Sequence, residues 1–237
     1  LMKLSKQLSK KTFAIYGLGL SGTSVLKFLN KSKVRKIYKW DDKKKINNKS
    51  KSRKFIKGIL VSDYIVVSPG IDIKKSKFSN ILLKNKKKII TDLDLFYMQK
   101  LKSKTIVITG TNGKSTTSKL LEHVLKNNYK NVQLGGNIGK PILELNINNK
   151  SIVIIEASSF QLEYSKFIKP TFAALINITK DHLDWHKTMK NYVGAKFNIF
   201  LKQDTNNYAF IKDQKLISKF KNFNFLSKLN VVKKNSI

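Results

Sequence analysis

The sequence predicts an α/β protein built from two successive parallel-sheet units. Three observations lead there. Short apolar runs alternate with helical patterns along most of the chain. Gly17-x-Gly19-x-x-Gly22 follows the first of those runs, and Gly110-Thr111-Asn112-Gly113-Lys114-Ser115-Thr116 follows a later one. Each glycine-rich turn lies between a strand and a helix, where backbone N–H groups and a helix dipole can meet an anion.

Taken in order, Thr12–Tyr16 is a short apolar strand, and Val25, Leu26, Phe28 and Leu29 after the first glycine turn give one helical face. Residues 35–40 form a second strand ending at Asp41-Asp42, and residues 43–54 read as a lysine-rich loop. Tyr64–Val67 is a third strand, closed by the turn Ser68-Pro69-Gly70, and Ile89-Ile90 begins a fourth that ends near Asp92. A linking helix around Leu95-Phe96-Tyr97-Met98 leads to strands at 105–109, 151–155 and 172–176. A helix is expected to start near Thr116, and patterning weakens after Phe200, with Tyr208–Ile211 as a candidate strand. The expected division is 1–93 and 94–237.

The chain has 237 residues, no cysteine and a formal charge of +34. Disulfide frameworks and thiolate metal sites are excluded, and no apolar run approaches the roughly 20 residues of a membrane span. A cytoplasmic protein with no membrane contact is expected. The charge alone would suggest nucleic acid, but only Arg35 and Arg53 are arginine, the residue suited to bidentate phosphate recognition. The lysines are spread along the chain in no recognised nucleic-acid motif, so solvated surfaces and no specific nucleic-acid partner are expected.

The turn at 17–22, with a carboxylate of Asp41-Asp42 at the end of the next strand, suggests a nucleotide diphosphate, NAD or another. In the second turn Gly110 precedes Gly113 by three residues, shorter than the common P-loop spacing. Lys114 supplies a charge for phosphate, and a hydroxyl beside it can ligate Mg²⁺. Ile152-Val153-Ile154-Ile155 ends in Glu156, where a P-loop enzyme keeps an acid for that ion; capping of the next helix is the plainer alternative. His182 and His186 stand at i, i+4, but without an HExxH pattern or third ligand His182 reads as a Mg²⁺ or substrate contact, not a zinc ligand.

Seven segments in order resemble the Mur ligase family: GLGLSG at 17–22, SPGI at 68–71, TGTNGKST at 109–116, GGNIG at 135–139, EASSFQLE at 156–163, NITKDHLD at 177–184 and GAKFNIF at 194–200. The resemblance implies a Rossmann-like first domain and a P-loop central domain, incomplete here, with a C-terminal amino-acid-binding domain absent. The SSFQLE stretch is similar to the branch that joins D-glutamate to UDP-N-acetylmuramoyl-L-alanine, using ATP and Mg²⁺ through an acyl phosphate. The implied ATP residues are Gly110, Thr111, Asn112, Gly113, Lys114, Ser115 and Thr116. Those implied for the UDP substrate are Gly17, Leu18, Gly19, Ser21, Gly22, Asp41, Asp42, Ser68, Pro69, Gly70, Asn137, Ser158, Gln161 and His182. Ser115, Glu156, His182 and a carbamylated Lys196 are implied for metal, with Lys114, His182 and Lys196 catalytic.

Asp42-Lys43 departs from the family's usual threonine-arginine. The chain starts with Leu1 before Met2 and stops at Ile237 without a closing signal, so an incomplete reading frame is expected. Because the third domain that the resemblance implies is absent, substrate binding at best and no ligation are expected, by a monomer. The alternatives are a sister ligase for another amino acid, an NAD(P)-dependent oxidoreductase and a basic nucleic-acid-binding protein.

Overall fold

A computed structural model describes residues 5–43, 48–223 and 225–231. The first unit runs α1 (Lys6–Ser9), β1 (Thr12–Tyr16), α2 (Leu20–Lys31), β2 (Lys36–Trp40), α3 (Lys49–Val61), β3 (Tyr64–Val67), α4 (Ser79–Lys84) and β4 (Ile89–Ile90). Its sheet is parallel throughout, in the order β2-β1-β3-β4. All five residues of β1 are buried, as expected of a strand covered on both faces.

The second unit runs α5 (Asp92–Tyr97), β5 (Lys104–Thr109), α6 (Lys114–Lys126), β6 (Val132–Gly136), β7 (Ile152–Glu156), α7 (Ser159–Tyr164), β8 (Phe172–Leu175), α8 (Leu183–His186), α9 (Met189–Phe197), β9 (Tyr208–Ile211), α10 (Gln214–Asn222) and β10 (Lys228–Val231). Its parallel sheet has the order β10-β9-β8-β5-β7-β6. In both sheets strand order reverses beside the strand that precedes a glycine turn, β1 or β5. Open α/β sheets bind ligands at the carboxyl ends of such strands.

One apolar cluster runs through both units, from Phe13 and Ile15 through Leu93, Leu95 and Phe96 to Val107, Val153 and Ile155. A buried polar clasp reinforces it at α5. The Asp94 carboxylate accepts from the N–H groups of Thr91 (2.9 Å), Lys166 (2.8 Å) and Phe167 (2.7 Å), tying the start of α5 to the segment after α7.

The lysine-rich loop expected over residues 43–54 is corrected in part. Residues 44–47 lie outside the described residues, and α3 begins at Lys49. The Asn48 side chain caps it, accepting from Lys51 N–H at 2.9 Å, while Phe55, Gly58 and Ile59 face the core. Lysines crowd the solvent side of this helix and hide the apolar period. Helix α6 starts at Lys114, two residues before the expected position. Strand β6 ends in Gly135-Gly136, which reads as loop from sequence, and β10 is largely exposed, so neither showed an apolar run.

The glycines at 17–22 do different work. Gly17 has φ 92°, and a Cβ on Gly22 would lie 1.9 Å from the Gly17 carbonyl oxygen, so Gly22 is required for packing α2 against the turn. Gly19 has open space within 4 Å of its Cβ position. Gly22→Ala should therefore lose about 2–3 kcal/mol in urea unfolding, whereas Gly19→Ala should lose less than about 1 kcal/mol. Equal losses would show that the turn is not built this way.

Candidate active site

In the first turn the main chain is braced by carboxylates. Asp41 accepts from Leu18 N–H at 2.6 Å and from Lys43 N–H at 2.9 Å. Ser68 donates its hydroxyl to the Gly17 carbonyl at 3.0 Å, which binds the Ser68-Pro69-Gly70 turn to the glycine turn. Gly70, with φ 83°, leaves open space. Asp42 is more occupied than the sequence suggests. It accepts from the Tyr16 hydroxyl and, at 2.8 Å, from the Trp40 indole, with the Lys77 ammonium 3.5 Å away. Burial pushes the Asp42 carboxyl up, but these donors and the ammonium outweigh it and hold it below the usual range. Asp42 thus braces the first core, and a ligand hydroxyl would have to share its oxygens.

The second turn is held open by a residue to which sequence reasoning gave no role. The Asn177 side chain, just after β8, accepts from Thr111 N–H at 3.0 Å and Asn112 N–H at 2.9 Å, and its amide donates to the Asn112 carbonyl at 2.9 Å. A polar side chain at the end of the strand neighbouring β5 was the available signal. The Thr111 hydroxyl meets the Tyr192 hydroxyl at 3.0 Å, anchoring α9 to the turn. Gly113, with φ 78°, starts α6, whose first N–H groups have no partner within the helix. Ser115 and the exposed Thr116 follow in that first turn.

Two lysines converge on this turn. Lys114 donates to the carbonyls of Gly110 (3.0 Å) and Thr111 (2.7 Å), and Lys196 from α9 reaches the same Gly110 carbonyl at 2.7 Å. Lys196 is 1% exposed. Burial first, and then the Lys114 charge, lower its pKa from 10.5 to about 7.

Glu156, at the end of β7, is also 1% exposed. Its carboxylate accepts the Ser115 hydroxyl at 2.8 Å and the Asn137 amide at 2.8 Å. Gly136 permits this approach: with φ 108°, it lies where a Cβ would come 2.4 Å from the Glu156 carbonyl. Glu156 does not cap the next helix. Ser158 does so, accepting from Gln161 N–H at 3.3 Å, while the Gln161 side chain accepts from Ser158 N–H at 3.1 Å. Gln161 also points its amide at the buried Asp92, at 3.4 Å. Ser21 on α2 lowers the pKa of that same carboxyl, although burial raises it overall. Asp92, which the sequence marked only as a strand end, therefore lies between two expected substrate contacts.

His182 has left-handed backbone, φ 51°, and its side chain is 44% exposed. Its ring lies 4.8 Å from Phe160 and 6.2 Å from Tyr192, the ring that the Lys196 ammonium faces at 4.8 Å. The structure thus joins Ser115, Glu156 and Asn137 directly, joins Lys114 and Lys196 at one carbonyl, and sets His182 on the Tyr192 ring. Among the described residues no group of three or more His, Asp or Glu side chains could hold a metal. Ser115 and Glu156 nevertheless present hard oxygen donors, the type Mg²⁺ takes, on a buried carboxylate.

The model of the Mur ligase middle domain matches residues 108–236. The chain belongs to the Mur ligase family. It is 38% identical over 207 residues to the UDP-N-acetylmuramoylalanine--D-glutamate ligase of Wolbachia pipientis wMel, across 84% of this chain and 40% of that protein. With the ligase of the same name from Aquifex aeolicus strain VF5 it shares 36% identity over 202 residues, across 85% of this chain and 46% of that protein. The chain therefore spans about half the length of these curated relatives or less. The solved UDP-N-acetylmuramate:L-alanyl-gamma-D-glutamyl-meso-diaminopimelate ligase from Neisseria meningitides matches with a TM-score of 0.55 at 15% identity, covering 92% of this chain and 77% of that one. That likeness shows the Mur ligase fold.

The Lys196 geometry carries a pH test. Its folded pKa lies below its ordinary value, so between pH 7 and 10.5 the unfolded chain holds a proton that the folded one has released. Folded stability then rises across that window and is lowest below it. Lys196→Met should raise Tm most at about pH 6–7, and its advantage should shrink as pH climbs. A gap independent of pH in carbonate-free buffer would show that Lys196 is not titrating there.

Proposed function

We propose that this chain supplies the UDP-substrate and ATP sites of a ligase that adds D-glutamate to UDP-N-acetylmuramoyl-L-alanine in peptidoglycan precursor synthesis. The observation that carries the reading is the buried Glu156 carboxylate, joined to the Ser115 hydroxyl and the Asn137 amide at the head of α6. This supports the reading because the strand-end acid, the glycine turn before α6 and the Asn137 amide lie in one hydrogen-bonded cluster. Residues 1–93 would form the UDP-binding domain and residues 94–237 the nucleotide domain.

In this mechanism the N–H groups at the start of α6 and the Lys114 ammonium hold the ATP phosphates. Lys114 swings from the Gly110 and Thr111 carbonyls to do so. Mg²⁺, when bound, would neutralise charge on the transferring phosphoryl group; Ser115 and Glu156 would hold it, with His182 and a carbamylated Lys196 at a second position. Lys196 suits that modification, because a buried amine of lowered pKa is neutral enough to add to CO₂ and lose a proton, leaving an anion. The Asn137 and Gln161 amides orient the muramoyl-alanine carboxylate, which accepts the phosphoryl group before the D-glutamate amine displaces phosphate. Gly19, open on one side, admits the diphosphate close to the backbone of α2.

Among the described residues no helix is long and apolar enough to cross a membrane. UDP-linked sugars and ATP are cytoplasmic metabolites, which makes the cytoplasm the proposed compartment, with the monomer as the proposed state.

Calorimetry tests the reading. The 237-residue chain should bind UDP-N-acetylmuramoyl-L-alanine more tightly than UDP-N-acetylmuramate. Gly19→Ala, which preserves the fold, should weaken that binding about tenfold or more. Binding of NADH in place of either sugar nucleotide would overturn the proposal.

A further inference from the structure

A second cluster of buried polar groups lies outside these sites, where the segment after the Ser68-Pro69-Gly70 turn meets α8. A cavity of about 30 Å³ is lined there by Asp72, Ile73, Glu163, Tyr164, Trp185 and His186, among others. Four buried atoms of these lining residues have no hydrogen-bond partner among the described residues: Asp72 Oδ2, Trp185 Nε1, and both ring nitrogens of His186. Glu163 Oε2 stands 3.9 Å from Nδ1 of that imidazole, too far for a hydrogen bond. The other Asp72 oxygen is already used, accepting from Lys74 N–H at 2.9 Å.

The chemistry of these groups selects the occupant. Trp185 can only donate, Asp72 Oδ2 can only accept when ionised, and a neutral imidazole does one of each. A cation would face the Trp185 N–H, and an anion would face the Asp72 carboxylate. One water can accept from the Trp185 N–H, donate to Asp72 Oδ2 and meet one ring nitrogen of His186, and the volume suffices for one molecule.

We propose that one ordered water in this cavity joins Asp72 of the first unit to Trp185 and His186 of the second, fixing the α8 turn in place. The turn needs such a fastening, because left-handed residues flank it, His182 at φ 51° and Lys187 at φ 70°. At this cavity the Ile73 N–H reaches the Tyr164 hydroxyl at a long 3.4 Å, while Lys166 donates to the Lys86 and Lys87 carbonyls at 2.8 Å beside it. The water holds the backbone that presents His182 in register with the first sheet.

The chain contains two tryptophans, Trp40 and Trp185, so Trp185→Phe assigns the indole signals in a ¹⁵N-labelled sample. In the unliganded 237-residue chain the Trp185 indole proton should show a cross-relaxation peak to a long-lived water. Absence of that peak would overturn the proposal. Unfolding of Asp72→Ala, Trp185→Phe and the double variant gives an independent arm. Each single change should raise the unfolding constant roughly five- to tenfold, and the double variant by less than the product of the two. Strictly multiplicative effects would also overturn it. Neither arm uses nucleotide or sugar, so the outcome is independent of the ligase reading.

Discussion

A carboxylate buried to 1% exposure is the constraint around which the second sheet is arranged. A carboxyl removed from water needs hydrogen-bond partners or a cation, and among the described residues the Ser115 hydroxyl and the Asn137 amide donate to Glu156. Supplying them requires three separate strands to end together. Strand β7 carries the acid, β5 leads through the glycine turn to Ser115, and β6 ends in Gly136, whose left-handed conformation brings Asn137 across. Parallel strands joined by crossover helices put all three ends on one edge, so the fold class itself creates the meeting point.

The same economy appears around the phosphate turn. Asn177 and Thr111 hold the loop from the β8 side, and Tyr192 extends that hold to α9. With the loop fixed, the Gly110 carbonyl becomes an acceptor for two ammonium groups. Their mutual repulsion, together with burial, is what depresses Lys196. An anion at the head of α6 would draw Lys114 off that carbonyl and leave Lys196 less opposed. Anion binding at this turn, where it occurs, would therefore be linked to the protonation of Lys196 through one backbone oxygen.

What could be read in the sequence followed from locality. The two glycine turns, Lys114, Ser115 and Glu156 are marked by residues adjacent in the chain, and the strands leading to them are short apolar runs. Asn137, Gln161 and Lys196 carry no such mark; they were assigned by resemblance, and Lys196 is one lysine among many until its burial is seen. Helix α3 was masked because lysines outnumber the Phe55 and Ile59 that define its inner face. The clasp of Asn177, the occupation of Asp42 by Tyr16 and Trp40, and the place of Asp92 between Ser21 and Gln161 all join residues distant in sequence. No periodicity encodes such pairs.

The most direct test of this account is the affinity of a non-hydrolysable ATP analogue for wild type and for Glu156→Gln, each with and without Mg²⁺. Glutamine keeps the size of the side chain and an acceptor for Ser115 but removes the charge. The account predicts a loss of roughly ten- to a hundredfold in the presence of Mg²⁺, and a change within about twofold in its absence. An equal effect under both conditions, or none under either, would contradict the claim that this buried carboxylate is the cation site of a nucleotide cradle.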